Sequence, residues 1–141
     1  MEPLDFTELP DRALLLLDTA PIVYVLEAHP DFGPRFEPLF AAQEAGRLRF
    51  AVTPITIIEV LSGPLQAANA ALAQRYRAAL ESWQYVELDV EIAESAARLR
   101  ASLRLPLADA VQAASAVAIN AAALVTNDRR FSRVRSLRII C

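Results

Sequence analysis

The chain has 141 residues, 55% hydrophobic and 22% charged, enough for one domain with a substantial core and too short for a second. Its formal net charge is −3, and all 14 basic residues are arginine. The lack of lysine excludes P-loop and receiver-type phosphoryl transfer, and every mechanism that needs a lysine. The only cysteine is Cys141, so no internal disulfide can form, which suits a reducing cytoplasm. The opening residues lack a basic n-region, and the run 13–17 is too short for a signal segment. A soluble, cytoplasmic protein is expected.

Residues 1–12 are polar and broken by proline, a loose lead-in to a single domain over 13–141. The apolar run 13–17 is a strand, followed by a short helix opened by Pro21 and ending near Glu27 or His29. Residues 30–38 hold three prolines and Gly33 and are expected as loop, with a helix over 38–45 closed by Gly46. A strand follows at 48–52. Thr53-Pro54 then opens a helix that Gly63-Pro64 is expected to end. Residues 67–83 are helical and 85–88 a strand, and 91–103 is a helix with Glu94 one turn ahead of Arg98. A further helix runs from Pro106 to about 122, with strands at 124–126 and 137–141. The charge-free stretch 110–127 is mostly alanine, contains Gln112, Ser115 and Asn120, and is too weakly apolar to span a membrane. Strands alternating with helices imply an α/β protein, a parallel sheet with helices on both faces.

Four acidic residues stand at seams in this pattern. Asp18 and Asp128 each follow a buried strand, where α/β proteins build their sites. Glu59 and Asp109 interrupt helical segments that are otherwise almost wholly apolar. Each has an ordinary reading too. Asp18 can cap a helix, Asp109 can favour the positive end of one, and Asp128 can start a turn with Asn127. Glu59 resists such a reading, because a glutamate in an apolar helix needs a partner. The topology can bring all four together, and a hard divalent cation is the economical partner for gathered carboxylates.

The segments Leu-Leu-Asp-Thr (16–19), Ile-Thr-Ile-Ile-Glu-Val-Leu-Ser-Gly (55–63), Leu-Pro-Leu-Ala-Asp-Ala (105–110) and Leu-Val-Thr-Asn-Asp-Arg-Arg-Phe (124–131) resemble the successive motifs of PIN domains. They are most similar to the ribonuclease toxins of bacterial VapBC-type toxin–antitoxin modules, and the resemblance spans residues 14–141. It implies an α/β/α sandwich with a mostly parallel central sheet, and endoribonuclease activity dependent on Mg²⁺, with Mn²⁺ as a substitute. By position the acidic quartet carries over as Asp18, Glu59, Asp109 and Asp128. Thr126 matches a position the family often uses beside the metal, and Asn127, Arg129 and Arg130 adjoin it. Many relatives have an aspartate where Arg130 stands, and the fourth acid, here Asp128, varies most within the family.

On this reading Asp18 and Asp109 anchor the metal, Glu59 orients the attacking water, and Asp128 holds that water or a second ion. RNA is the implied substrate, a cognate antitoxin the implied partner, and a homodimer the implied assembly. A housekeeping PIN nuclease and an inactive PIN-fold binding module are the alternatives. Residues 98–141 carry eight arginines against Asp109 and Asp128, a surplus of six that opposes the −9 of residues 1–97. The cluster Arg129, Arg130, Arg133, Arg135 and Arg138 fits a solvated, charge-protected edge strand or a phosphate-contacting rim equally well. Phe131 reads as a core residue, with base stacking as the alternative, and His29 as a surface residue.

Overall fold

The computed structural model describes residues 4–141. Strand β1 (Ala13–Leu17) lies at the centre of a five-stranded sheet because both of its faces are apolar and both are covered. It pairs in parallel with β2 (Leu48–Val52) on one side and β4 (Ala123–Val125) on the other. Strand β3 (Gln84–Tyr85) lies outside β2, and β5 (Ile139–Ile140) outside β4, giving the order β3-β2-β1-β4-β5. Every pairing is parallel, so the expected mostly parallel sheet is wholly so.

Alternation along β1 divides the core. Leu15 and Leu17 face one layer with Ile22 of α1 (Thr19–Leu26), Phe36, Leu39 and Phe40 of α2 (Gly33–Glu44), Val60 of α3 (Pro54–Gln66) and Tyr76 of α4 (Ala70–Glu81). Leu16 faces the other layer with Ile92 of α5 (Val90–Leu103) and the alanine face of α6 (Leu107–Ala118). Leu15, Leu16 and Leu17 are each 0% exposed, and such burial contributes roughly 1.5–3 kcal/mol per side chain. Ahead of β1, Leu9 is buried, with Leu4 and Phe6 against the same cluster. No helix among the described residues is long and apolar enough to cross a membrane.

Several boundaries differ from the expectation. Helix α2 begins at Gly33, within the segment read as loop, and runs through Pro38. Pro34 occupies its first turn, where a missing N–H does no harm. The interior Pro38 removes one hydrogen bond, which the burial of Phe36, Leu39 and Phe40 outweighs. Helix α3 likewise continues through Gly63-Pro64 to Gln66, with Pro64 itself buried. The break comes two residues later, where Ala68 takes a left-handed φ of 54° and Asn69 caps α4 by accepting from the Leu72 N–H at 3.1 Å. Helix α6 stops at Ala118 because Asn120 turns left-handed at φ 54°, so residues 119 and 120 form a turn. Strands β3 and β5 are shorter than expected, two residues each. Asp89 ends the chain's extension after β3 by capping α5, its carboxylate accepting from the Ile92 N–H at 2.8 Å.

Alanine in the left-handed region is disfavoured by roughly 1–2 kcal/mol, whereas glycine enters it freely. Ala68→Gly is therefore expected to stabilise the protein by up to about 1 kcal/mol in denaturant unfolding, after the greater freedom of the unfolded glycine chain is subtracted. A loss of stability would show that the α3–α4 corner is held by the alanine methyl instead.

Candidate active site

The carboxyl ends of β1 and β4 carry the first pair of acids. The Asp18 N–H donates to the Val125 carbonyl at 2.9 Å, so the sheet itself fixes its backbone. One carboxylate oxygen, Oδ1, accepts from the Thr19 N–H at 2.9 Å and caps α1. The other, Oδ2, accepts from the Thr126 hydroxyl at 2.8 Å. The ordinary reading of Asp18 as a cap and the reading as a site residue thus describe the same side chain. Thr126 is fully buried, and its hydroxyl oxygen also accepts from the Asp128 N–H at 3.0 Å. One threonine therefore sets both acids.

The second pair comes from the helices. Asp109 sits in the first turn of α6 with its side chain 18% exposed. Glu59 projects from α3 and accepts from the Thr19 hydroxyl at 2.8 Å. It is exposed, so α3 does not bury it as its apolar neighbours in the sequence imply, and no buried partner is demanded. The four acids nonetheless line one open cleft of about 460 Å³ together with Thr19, Tyr24, Thr126 and Asn127. Asn127 donates to the Tyr24 hydroxyl at 3.2 Å across that cleft. Arg129 is exposed and makes no ion pair among the described residues, whereas Arg130 reaches back to the acids.

The electrostatics separate Asp109 from Asp128. Burial pushes the Asp109 carboxyl above its usual value, and the nearby charges of Asp18, Asp128 and Glu59 add to this, against the pull of Arg130. Its Oδ2 is buried without a hydrogen bond; Arg130 Nη2 lies 3.3 Å away, an ion-pair distance without hydrogen-bond alignment. Asp128 is held below its usual value, chiefly by side-chain hydrogen bonds from Arg130 and also by the Arg130 N–H.

Beneath the cleft lies a buried polar network that the sequence reading did not single out. Gln112, one turn after Asp109 on α6, accepts from the Thr53 hydroxyl at 2.6 Å and donates to the Thr56 hydroxyl at 3.0 Å. Its amide also reaches Asp18 Oδ1 at 3.5 Å. Thr53 and Thr56 form the capping box of α3. Gln112 thereby ties the helix bearing Glu59 to the helix bearing Asp109. A lone glutamine in a mostly apolar helix, three residues past a suspected site aspartate, is the available signal.

A sequence model of the PIN domain matches residues 15–137. The chain belongs to the PIN-domain family. Solved structures repeat its fold. A toxin–antitoxin complex from Klebsiella pneumoniae is similar at a TM-score of 0.69 and 25% identity, over 87% of this chain and 94% of the other. VapBC-5 from Mycobacterium tuberculosis, a member of the VapBC family of toxin–antitoxin systems, is similar at a TM-score of 0.59 and 28% identity, over 91% and 98% of the chains. VapC20 of the same organism, a toxin that cleaves the sarcin–ricin loop, reaches a TM-score of 0.71 over 85% and 94% at only 14% identity, a likeness of fold alone. No curated protein matches the sequence.

The PIN-domain cleft suits a hard divalent cation in its donors: all are oxygens, and one buried carboxylate oxygen lacks a hydrogen bond. Among the described residues, however, no three acidic, histidine or cysteine side chains form a finished metal cage. The Arg130 guanidinium lies between Asp109 and Asp128, where its charge stands in for that of a cation.

Removing Gln112 leaves the Thr53 and Thr56 hydroxyls without their partner, so Gln112→Leu is expected to lower stability by roughly 1–3 kcal/mol in chemical denaturation. An unchanged midpoint would mean that the network is not needed to hold α3 against α6. For Asp109, a folded value above the unfolded one means that ionisation opposes folding. That penalty is complete above the raised value and vanishes as pH falls below the ordinary 3.8. In EDTA, Asp109→Asn is therefore expected to melt above the wild type at neutral pH, with the gap closing towards pH 4. A gap that widens on acidification would contradict the assignment.

Proposed function

We propose that this PIN domain is a metal-dependent endoribonuclease that hydrolyses RNA phosphodiesters, and that it acts as the toxin of a toxin–antitoxin pair. The observation that carries the proposal is the convergence of Asp18, Glu59, Asp109 and Asp128 on one cleft at the carboxyl edge of a parallel sheet. The cleft's own side chains offer no histidine, lysine or cysteine for acid–base or nucleophilic work. What they offer is carboxylate oxygen, the ligand of Mg²⁺ or Mn²⁺. When bound, such an ion would neutralise phosphate charge, acidify water and stabilise the leaving oxygen.

The residues divide the remaining work. Asp18, held by the Thr126 hydroxyl and the Thr19 N–H, and Asp109, with its free buried oxygen, would be the anchors for the ion. Glu59 stands at the exposed side of the cleft with its carboxylate steadied by Thr19, placed to orient a water and accept its proton. Asp128, ionised and gripped by Arg130, would hold that water or a second ion. Water attack at phosphorus with loss of the 3′-oxygen would leave 5′-phosphate and 3′-hydroxyl ends. Arg129, exposed beside Asp128, is placed to meet the phosphate backbone.

The toxin assignment draws on the similar structures. The protein from Klebsiella pneumoniae forms a toxin–antitoxin complex, and VapBC-5 is a member of the VapBC family of toxin–antitoxin systems. The cognate antitoxin would cover the acidic cleft, and the active assembly would be a cytoplasmic homodimer. The test is cleavage of RNA by the purified chain with Mg²⁺ or Mn²⁺ and then with EDTA, beside Asp109→Asn. Cleavage is expected to require the metal and to fall at least about a hundredfold in the variant. Equal cleavage by both proteins would sink the proposal.

A further inference from the structure

Arg130 touches two of the four acids. Its Nε donates to both oxygens of Asp128, at 3.1 and 2.8 Å, and its Nη2 donates to Oδ2 at 2.6 Å. The Arg130 N–H adds a fourth bond to Asp128 Oδ1 at 2.9 Å. The same Nη2 lies 3.3 Å from Asp109 Oδ2, the buried oxygen that no hydrogen bond satisfies. The grip is thus unequal: several aligned hydrogen bonds on Asp128, and one unaligned ion pair on Asp109.

This inequality has a mechanical consequence. The guanidinium can leave Asp109 while its hold on Asp128 persists, because Nη2 alone faces Asp109, whereas Nε and the backbone N–H also bind Asp128. Its side chain is 52% exposed, so the open cleft does not wall it in. It cannot be neutralised at any ordinary pH, so its charge beside Asp109 is permanent. A divalent cation and this guanidinium compete for the same carboxylate oxygen, and both relieve the same repulsion.

We propose that Arg130 is a displaceable internal counter-ion: it spans Asp109 and Asp128 in the metal-free protein, yields Asp109 to an incoming divalent cation, and thereby sets the affinity for that ion. This rests on the metal-centre reading above. The coupling is reciprocal, so the ion weakens the Arg130–Asp109 contact by the factor by which Arg130 weakens the ion. Arg133 supplies the control. It lies in the same 3-10 turn, is exposed, and acts on Asp128 through charge alone, without a hydrogen bond.

The experiment is calorimetric titration of Mn²⁺ into the wild type, Arg130→Gln, Arg130→Lys, Arg133→Gln and Asp109→Asn, without RNA. Arg130→Gln is expected to bind Mn²⁺ about fivefold or more tightly than both the wild type and Arg133→Gln. Arg130→Lys, which keeps the charge and loses the fork, is expected to fall between. Arg130→Gln should also melt below the wild type in EDTA, and that deficit should close with Mn²⁺. A gain no larger than that of Arg133→Gln overturns the counter-ion role and leaves the metal centre standing, since Asp109→Asn would still abolish binding. Mn²⁺ binding undiminished in Asp109→Asn, or absent from every protein in the series, overturns the centre itself and the inference with it.

Discussion

Repulsion among four carboxylates facing one cleft is the constraint around which this end of the molecule is organised. Like charges at short range in a partly desolvated space raise one another's proton affinity. The burden falls on Asp109, where burial leads in pushing the carboxyl above its usual value. Its position in the first turn of α6, where backbone N–H groups carry partial positive charge, offsets part of that. Asp18 and Glu59 are held by hydroxyl and amide donors from Thr19, Thr126 and Gln112. Asp128 alone receives a full countercharge by direct hydrogen bonds.

The sheet dictates why the acids meet where they do. From β1 the chain crosses to β2 and β3 on one side, then returns to β4 and β5 on the other. The order therefore reverses between β1 and β4, and a crevice opens beyond the carboxyl ends of those two strands. Asp18 and Asp128 follow those strands, one directly and one after Thr126-Asn127. Thr126 closes the seam: its N–H pairs with the Ile140 carbonyl while its side chain serves both aspartates. A single residue joins sheet pairing to site geometry. The network of Gln112, Thr53 and Thr56 does the same for the helices on either side.

Much of this was legible in the residues, and the failures have identifiable causes. The strand 13–17 and its terminal Asp18 were readable because an unbroken apolar run admits few other fates in a sheet covered on both faces. The helix opened by Thr53-Pro54 was readable from its cap. Its end was not: Gly63-Pro64 looks like a stop, yet Pro64 is buried and the helix continues until Ala68 turns left-handed. Pro38 misled in the same way. Tertiary burial of Phe36 and Leu39 overrode a local signal worth about 3 kcal/mol. Glu59 was found for a faulty reason, since the face of α3 that carries it is exposed, with Ile58 beside it 62% exposed. Gln112 is not legible in the same way, because its importance lies in contacts 56 and 59 residues distant. No local pattern encodes that.

The charge distribution completes the physical logic. A net charge of −3 gives no hint of a polyanion-binding surface, but Arg129, Arg133, Arg135 and Arg138 stand exposed along the segment after Asp128, while Phe131, Val134 and Leu137 between them are buried. Buried apolar residues spaced through this stretch force the arginines outward; Arg129 adjoins Asp128 and Arg133 acts on it through charge at the margin of the acidic cleft, while Arg138 lies towards Asp5. A phosphate backbone drawn to that margin would meet carboxylates next, and would be repelled unless a cation had already entered. On the proposed reading, ion and RNA therefore assist each other's binding, each cancelling charge that opposes the other. Arg130 stands at the boundary between the two fields, joined to the acids by its guanidinium and to the basic turn by its backbone. A guanidinium released from Asp109 would remain anchored on Asp128, at the place where the arriving phosphate and the acidic centre come into contact.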